Sequence, residues 1–180
     1  MKVDLSKYTN PHYQPGPIWK RATWHVINAL FIHSFLPFSS LKITLLKIYG
    51  AKIGKGCTIK PGVNIKHPWM LSIGDYSWIG ENVWIDNIAP VTIGSHCCIS
   101  QGVTLIVGNH RYDKPSFDLT LHPIILRDGV WVGAKSTLLP GCLINEQTVI
   151  TAGSIVKGNI PGDEIWGGNP AQFIKKRTLT

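Results

Sequence analysis

Two short polar stretches of this 180-residue sequence could move a proton near neutral pH: Asp86-Asn87 and Gly108-Asn109-His110. An imidazole titrates near working pH, so a positioned histidine can take a proton from a hydroxyl and pass it on to a leaving group. His110 is the candidate for that general base. Asp86 and Asn87 could orient its ring or hold the group being deprotonated, although Asp-Asn is by itself also good turn chemistry. Asp113, three residues after His110, is a second candidate for orienting the ring or contacting the acceptor. A lone loop histidine is usually unremarkable, so the weight of these candidates depends on the elements that hold them.

Those elements are periodic. From Ile53 to Val156 an aliphatic residue returns every six positions: Ile53, Ile59, Ile65; Ile73, Ile79, Ile85; Ile93, Ile99, Leu105; Leu126, Val132, Leu138; Ile144, Ile150, Val156. A lane of mostly small residues runs four positions behind, including Cys57, Ser77, Cys97, Ser136 and Ser154. Glycine follows many of the slots directly, as at Gly54, Gly74, Gly94 and Gly133. A period of six is neither helical nor that of a simple alternating strand. It suits a solenoid in which each hexapeptide makes one short strand and one corner, with the aliphatic residue inside and glycine relieving strain at the turn. Three hexapeptides close a triangular coil, which predicts a mainly β fold of about five coils. The rhythm breaks after Ile65, after Ile85 and, by fifteen residues, after Leu105. All three breaks follow the third face of a coil and emerge at one corner. That corner carries His67, then Asp86 and Asn87, then His110, as expected where a rigid scaffold presents a site.

The composition is that of a globular chain: 44% hydrophobic and 16% charged, with a net charge of +8. Such a charge favours a phosphorylated ligand or an anionic surface. Nucleic acid is not expected, because no basic run exceeds Lys175-Lys176-Arg177 and no zinc-finger or RNA-binding motif is present. Cys57, Cys97 and Cys142 sit in the small-residue lane and read as inward-facing small hydrophobes. Cys98 should point outward. There is no CxxC pair, and the start does not read as a signal peptide. A reducing cytoplasm is the expected compartment.

In order, residues 1–50 read as an extended Pro- and aromatic-rich arm followed by two capping helices. The first helix is expected within 18–36. The second should run from a Ser39 or Ser40 cap to Tyr49, with Gly50 as its stop. Their role is to cover the open end of the first coil. A sharper alternative is an interfacial anchor, with Trp19, Lys20, Arg21 and Trp24 at a membrane surface. His25 and His33 read as ordinary helix residues. Residues 51–161 are the repeat, with a loop at 106–125. Residues 162–180 are a tail in which Asn169 caps, and Pro170 begins, a short basic helix.

The strings Gly50-Ala-Lys-Ile-Gly-Lys-Gly56, Ile73-Gly-Asp-Tyr-Ser-Trp-Ile-Gly80, Ile99-Ser-Gln-Gly-Val103, Gly108-Asn-His110, Val130-Trp-Val-Gly133 and Gly168-Asn-Pro-Ala171 resemble those of the hexapeptide-repeat acyltransferases. The resemblance covers roughly residues 45–177. It is nearest to the maltose, galactoside and nodulation-type sugar acetyltransferases, and nearer still to the colanic acid biosynthesis subgroup. It implies a left-handed parallel β-helix and a homotrimer with three shared sites. It also implies transfer of acetyl from acetyl-CoA to a sugar hydroxyl, with no metal. By this resemblance His110 is the base, and Asp86 and Glu81 contact the acceptor. Trp131, Gly133, Ala134 and Ala152 would line the donor groove, with Lys175 near the nucleotide phosphates. Gln172 and Gly158 stand where relatives carry Arg and Lys, so Lys157 would substitute. The subgroup implies an acceptor on a lipid-linked glycan precursor and peripheral contact with the inner face of the membrane. Alternatives are a non-catalytic β-helix scaffold and an acetyltransferase for a non-sugar acceptor such as serine. A zinc hydratase of the γ-carbonic anhydrase type needs two histidines five residues apart, and His12, His25, His33, His67, His96, His110 and His122 contain no such pair.

Overall fold

The computed structural model describes residues 2–179. Between Lys52 and Gly168 the chain winds as a parallel β-helix with three faces. The first face stacks Lys52–Ile53, Leu71–Ile73, Val91–Ile93, Ile124–Leu126, Leu143–Ile144 and Asn159–Ile160. The second stacks Thr58–Ile59, Trp78–Ile79, Cys98–Ile99, Trp131–Val132, Val149–Ile150 and Glu164–Gly168. The third stacks Asn64–Ile65, Trp84–Asp86, Thr104–Ile106, Thr137–Leu138 and Ile155–Val156. The aliphatic slots pair in register from coil to coil, as Ile53 with Ile73 and Ile73 with Ile93. All fifteen predicted slots are buried. The small-residue lane also points inward: Ser77, Ser136 and Ser154 are buried, and their hydroxyls bond backbone carbonyls of the adjoining coil or turn.

Five complete coils are followed by a partial sixth, Asn159–Ile160 and Glu164–Gly168. The spacing contracts there, with Ile160 only four residues after Val156 yet paired with Ile144, so the period of six hides the extra turn. The glycines after the slots act differently from the expectation. Gly54, Gly74, Gly94 and Gly133 do not have left-handed φ. They are glycine because coils stack closely: a Cβ at Gly133 would lie 2.5 Å from the Ala152 amide nitrogen. Left-handed residues fall instead at the corners three positions before the slots, at Gly56, Tyr76, His96, Gly129, Gln147 and Asp163 ahead of the second face and at Gly62, Asn82, Gly102, Lys135 and Gly153 ahead of the third.

Helix α1 (Ile18–Ile27) continues into a π-helical turn, Asn28–Ile32, and α2 spans Ser39–Ile48. Both cover the open end of the first coil. Trp24, Ile32 and Leu46 are buried there, and the Trp24 indole donates to the Ile65 carbonyl (2.8 Å). The Ser39 hydroxyl does not cap α2; it accepts the Ile59 amide (2.8 Å) and ties the helix to the coil. Gly50 stops the helix at φ +99°. Lys42 is fully buried, and its ammonium donates to the Ile32 and Ser34 carbonyls.

The expected C-terminal helix is absent. Ala171–Lys176 turns back through Asn169-Pro170 as a strand antiparallel to Glu164–Gly168. The hairpin extends the second face, and Lys176 pairs with Glu164 (2.7 Å). Arg177 donates to the Gly129 and Gln147 carbonyls. An unpaired sheet edge is a stronger local demand than the weak helical preference of this short segment.

Candidate active site

The long third-corner insertion is an ordered hairpin in which Gly108–His110 pairs antiparallel with Leu119–Leu121. It projects from the end of the third-coil strand Thr104–Ile106, so a rigid sheet sets its root. The His110 imidazole lies flat on the Phe117 ring, with centroids 4.4 Å apart, and its Nδ1 is 3.0 Å from the Phe117 carbonyl oxygen. A carbonyl can only accept, so Nδ1 carries the proton and Nε2 is left as the basic nitrogen. Phe117 holds that carbonyl in place from a left-handed conformation, φ +51°.

His110 opens onto a cleft of about 320 Å³ shared with Asp86, Lys66, Ile88 and Leu119. Its remaining wall comes from the N-terminal arm, through Tyr8, Asn10 and Tyr13. The arm is stitched to the hairpin. Asp118 accepts from the Thr9 amide and hydroxyl (3.2 and 2.9 Å), and the Thr9 carbonyl accepts from Leu119. Asp86 and Lys66 approach to 2.8 Å, at ion-pair distance but without the alignment of a hydrogen bond. The carboxylate therefore keeps hydrogen-bonding capacity toward the cleft.

Of the predicted residues, the structure brings His110 and Asp86 together. Asn87 is adjacent but fully buried, with its amide spent on the His67 backbone (2.9 and 2.6 Å), so it clamps the corner rather than reaching into the cleft. Asp113 does not orient His110. It is exposed and held by Arg111 through two bonds (2.7 and 2.6 Å), and that hydrogen-bonded guanidinium pulls its pKa down to about 2. The orienting acceptor is the Phe117 carbonyl, which no side-chain motif could have signalled. Glu81 follows the second-face strand Trp78–Ile79 and lies a whole face away from His110.

The donor candidates fall on two edges of the prism. Trp131, whose indole donates to Ser100 (3.0 Å), is half-exposed on the second face. Gly133, Ala134 and Ala152 follow it around the corner to the third face. Lys157 lines a cleft of about 510 Å³ with Asn109, His122 and Pro140, on the His110 side. Lys175 is exposed on the C-terminal hairpin, paired with Ile165. The cleft residues missed from sequence are Tyr8, Asn10, Tyr13 and Lys66. Aromatic enrichment of the arm was the available signal. Among the described residues, no group of three His, Cys, Asp or Glu could hold a metal ion.

Fold and corner together define a hexapeptide-repeat β-helix with a loop histidine, the acyltransferase class. No family model matches the chain. WcaF of Escherichia coli (strain K12), named as a colanic acid biosynthesis acetyltransferase, is 34% identical over 179 residues, covering 98% of each chain. The hexapeptide-repeat acetyltransferase VCA0836 of Vibrio cholerae, solved with acetyl coenzyme A, matches with a TM-score of 0.83 at 22% identity, over 93% of this chain and 94% of that one. A galactoside acetyltransferase in complex with coenzyme A matches with a TM-score of 0.78 at 25% identity, over 89% and 82%. The chain belongs to the hexapeptide-repeat acetyltransferases, in the group that includes WcaF.

Proposed function

We propose that the protein transfers acetyl from acetyl-CoA to a sugar hydroxyl in the assembly of an exopolysaccharide or surface glycan. The observation that carries this reading is the bond from His110 Nδ1 to the Phe117 carbonyl, which presents Nε2 as a base beside a polar cleft. Nε2 takes the hydroxyl proton as the oxygen attacks the thioester carbon. The C–S bond then breaks, and the imidazolium returns the proton to the leaving thiolate to give CoA. Asp86 holds the acceptor in the cleft. The solved relatives with coenzyme A or acetyl coenzyme A support the donor.

We infer a homotrimer with shared sites. Trp131, Ala134 and Ala152 lie on one edge of the prism and His110 and Lys157 on another, so a groove lined by both sets joins two copies of the chain. The reading places the protein in the cytoplasm, with the N-terminal helices against the inner face of the membrane. No helix among the described residues is long and apolar enough to cross it. Ile18 and Trp19 on α1, Leu30 in the π turn, and Phe35 and Phe38 between the helices are nonetheless exposed, in a region that also carries Lys20 on α1 and Lys47 on α2. Apolar side chains interleaved with lysines suit an anionic lipid surface.

The test is acetyl-CoA turnover against free sugars, nucleotide sugars and lipid-linked glycans, for the wild type and His110→Ala. Turnover with one acceptor class, lowered at least about a hundredfold in the variant, is expected. Failure of either protein to bind CoA would leave a non-catalytic scaffold.

A further inference from the structure

A second cleft of about 320 Å³ adjoins the first, between α1 and the corner of the first two coils. Arg21 and His25 come from α1, Lys66 and His67 from the corner, and the half-exposed indole of Trp84 from the third face. Lys66 lines both clefts, so they meet at its side chain. Among the described residues, no carboxylate lines the second cleft.

Its neutral polar groups are mostly spent on structure. Trp24 bonds Ile65, and the Asn28 amide donates to Asn64 (2.7 Å) and accepts from the Ile65 amide. Arg21 differs. Its Nε is buried with no hydrogen-bond partner, and Arg21 joins no ion pair among the described residues. His67 Nδ1, in the same wall, is also buried and unpartnered. Buried donors are rarely left unpaired, and a guanidinium least of all. The electrostatics agree: burial first, then the charges of Lys66 and Arg21, push the His67 pKa down to about 4.

We propose that this cleft binds a phosphate or diphosphate carried by the acceptor, so that the substrate is a glycosyl phosphate or diphosphate whose hydroxyl enters the His110 cleft. The inference rests on the acetyl-transfer reading and narrows its substrate class. The guanidinium of Arg21 offers a fork of donors matched to phosphate oxygens. Lys66 stands between the phosphate on one side and Asp86 on the other, and so offsets two negative charges. The carrier of the phosphate is either a nucleotide or a lipid. The exposed apolar side chains of α1, Ile18 and Trp19 among them, lie on the helix that forms one wall and would meet a lipid tail.

Inorganic pyrophosphate is the probe, titrated calorimetrically with CoA saturating so that the donor's own phosphate contacts are filled. One site per chain is expected, weakened at least tenfold in Arg21→Gln and less in Arg21→Lys, which keeps the charge. Lys135→Gln, at an exposed corner far along the helix, is expected to bind as the wild type does. Absent binding overturns the proposal. So does equal weakening in Lys135→Gln, which would reflect only the net charge of +8. The sugar that supports turnover is then compared free, as its 1-phosphate, as a nucleotide diphosphate conjugate and as a polyprenyl diphosphate conjugate. A lower KM for a phosphorylated form, lost in Arg21→Gln, supports the proposal, and the last two forms separate nucleotide from lipid. Equal KM for all four forms overturns it. Pyrophosphate bound at Arg21 in a protein that turns over no acetyl-CoA would keep the anion site and sink the acetyl-transfer reading instead.

Discussion

His110 is gripped twice by Phe117: the ring stacks on the imidazole at 4.4 Å and the carbonyl accepts a hydrogen bond from Nδ1 at 3.0 Å. One residue thus sets both the plane and the tautomer of the base. Phe117→Gly keeps the carbonyl and suits the left-handed φ, but removes the stacking surface. Steady-state kinetics are expected to show kcat lowered roughly ten- to a hundredfold, the scale of a misplaced reacting group. Unchanged kcat would assign orientation to the carbonyl alone.

The arm forms one wall of the cleft through Asp118, which accepts from both the amide and the hydroxyl of Thr9. Asp118→Ala should free the arm without disturbing the coils. Hydrogen exchange at residues 4–13 is expected to accelerate, and the acceptor KM to rise more than kcat falls. A protected arm in the variant would contradict this.

Lys42 supplies the donors for the carbonyls that end the first helical segment. Lys42→Met preserves the apolar stem and leaves those buried acceptors unpaired. The expected cost is about 2–3 kcal/mol, read from urea unfolding. A change near zero would mean that burying the ammonium costs as much as its bonds return.

His67 is nearly inaccessible, between the rings of Tyr13 and Trp69. Its pKa falls from 6.5 to about 4 on folding, chiefly through burial. Between those values the unfolded chain binds the proton and the folded chain does not. Stability is therefore undiminished above about pH 6.5 and declines as pH falls toward 4, by on the order of 3 kcal/mol. His67→Phe should flatten that slope in unfolding measured across pH 4–7. An unchanged slope would place the titration elsewhere.

The proposed homotrimer with shared sites makes a complementation prediction. Trp131→Ala and His110→Ala are each expected to be nearly inactive. Subunits of the two, unfolded and reassembled together, should regain activity that neither has alone, because some grooves then combine an intact Trp131 with an intact His110. Mixtures as inactive as the parents would favour a site built within one chain.

The repeat was legible because a solenoid makes the same local demand at every turn: one aliphatic residue inside and one small residue at the bend. Ile53 through Val156 therefore announced both the coils and the corner where they are interrupted. The tail was misread because Asn169-Pro170 and a basic run carry the signature of a helix start. The edge of the second face that Ala171–Lys176 completes exists only once the coils have stacked. Neither Asn87 nor Asp113 orients the His110 ring, for a related reason: residue type alone cannot tell a free polar group from one spent on the His67 backbone or on Arg111.

The order of residues by itself determined the β-helix, the capped first coil, the interrupted corner and His110 as the candidate base at that corner, all of which rest on periodicity or on residue type. Only the tertiary structure decided which atom orients the imidazole, which arm closes the cleft, and that Arg21 lies unpaired beside Lys66. Those relations join segments far apart in the chain, or depend on a backbone carbonyl that every residue possesses, and so leave no mark in the spacing of side chains.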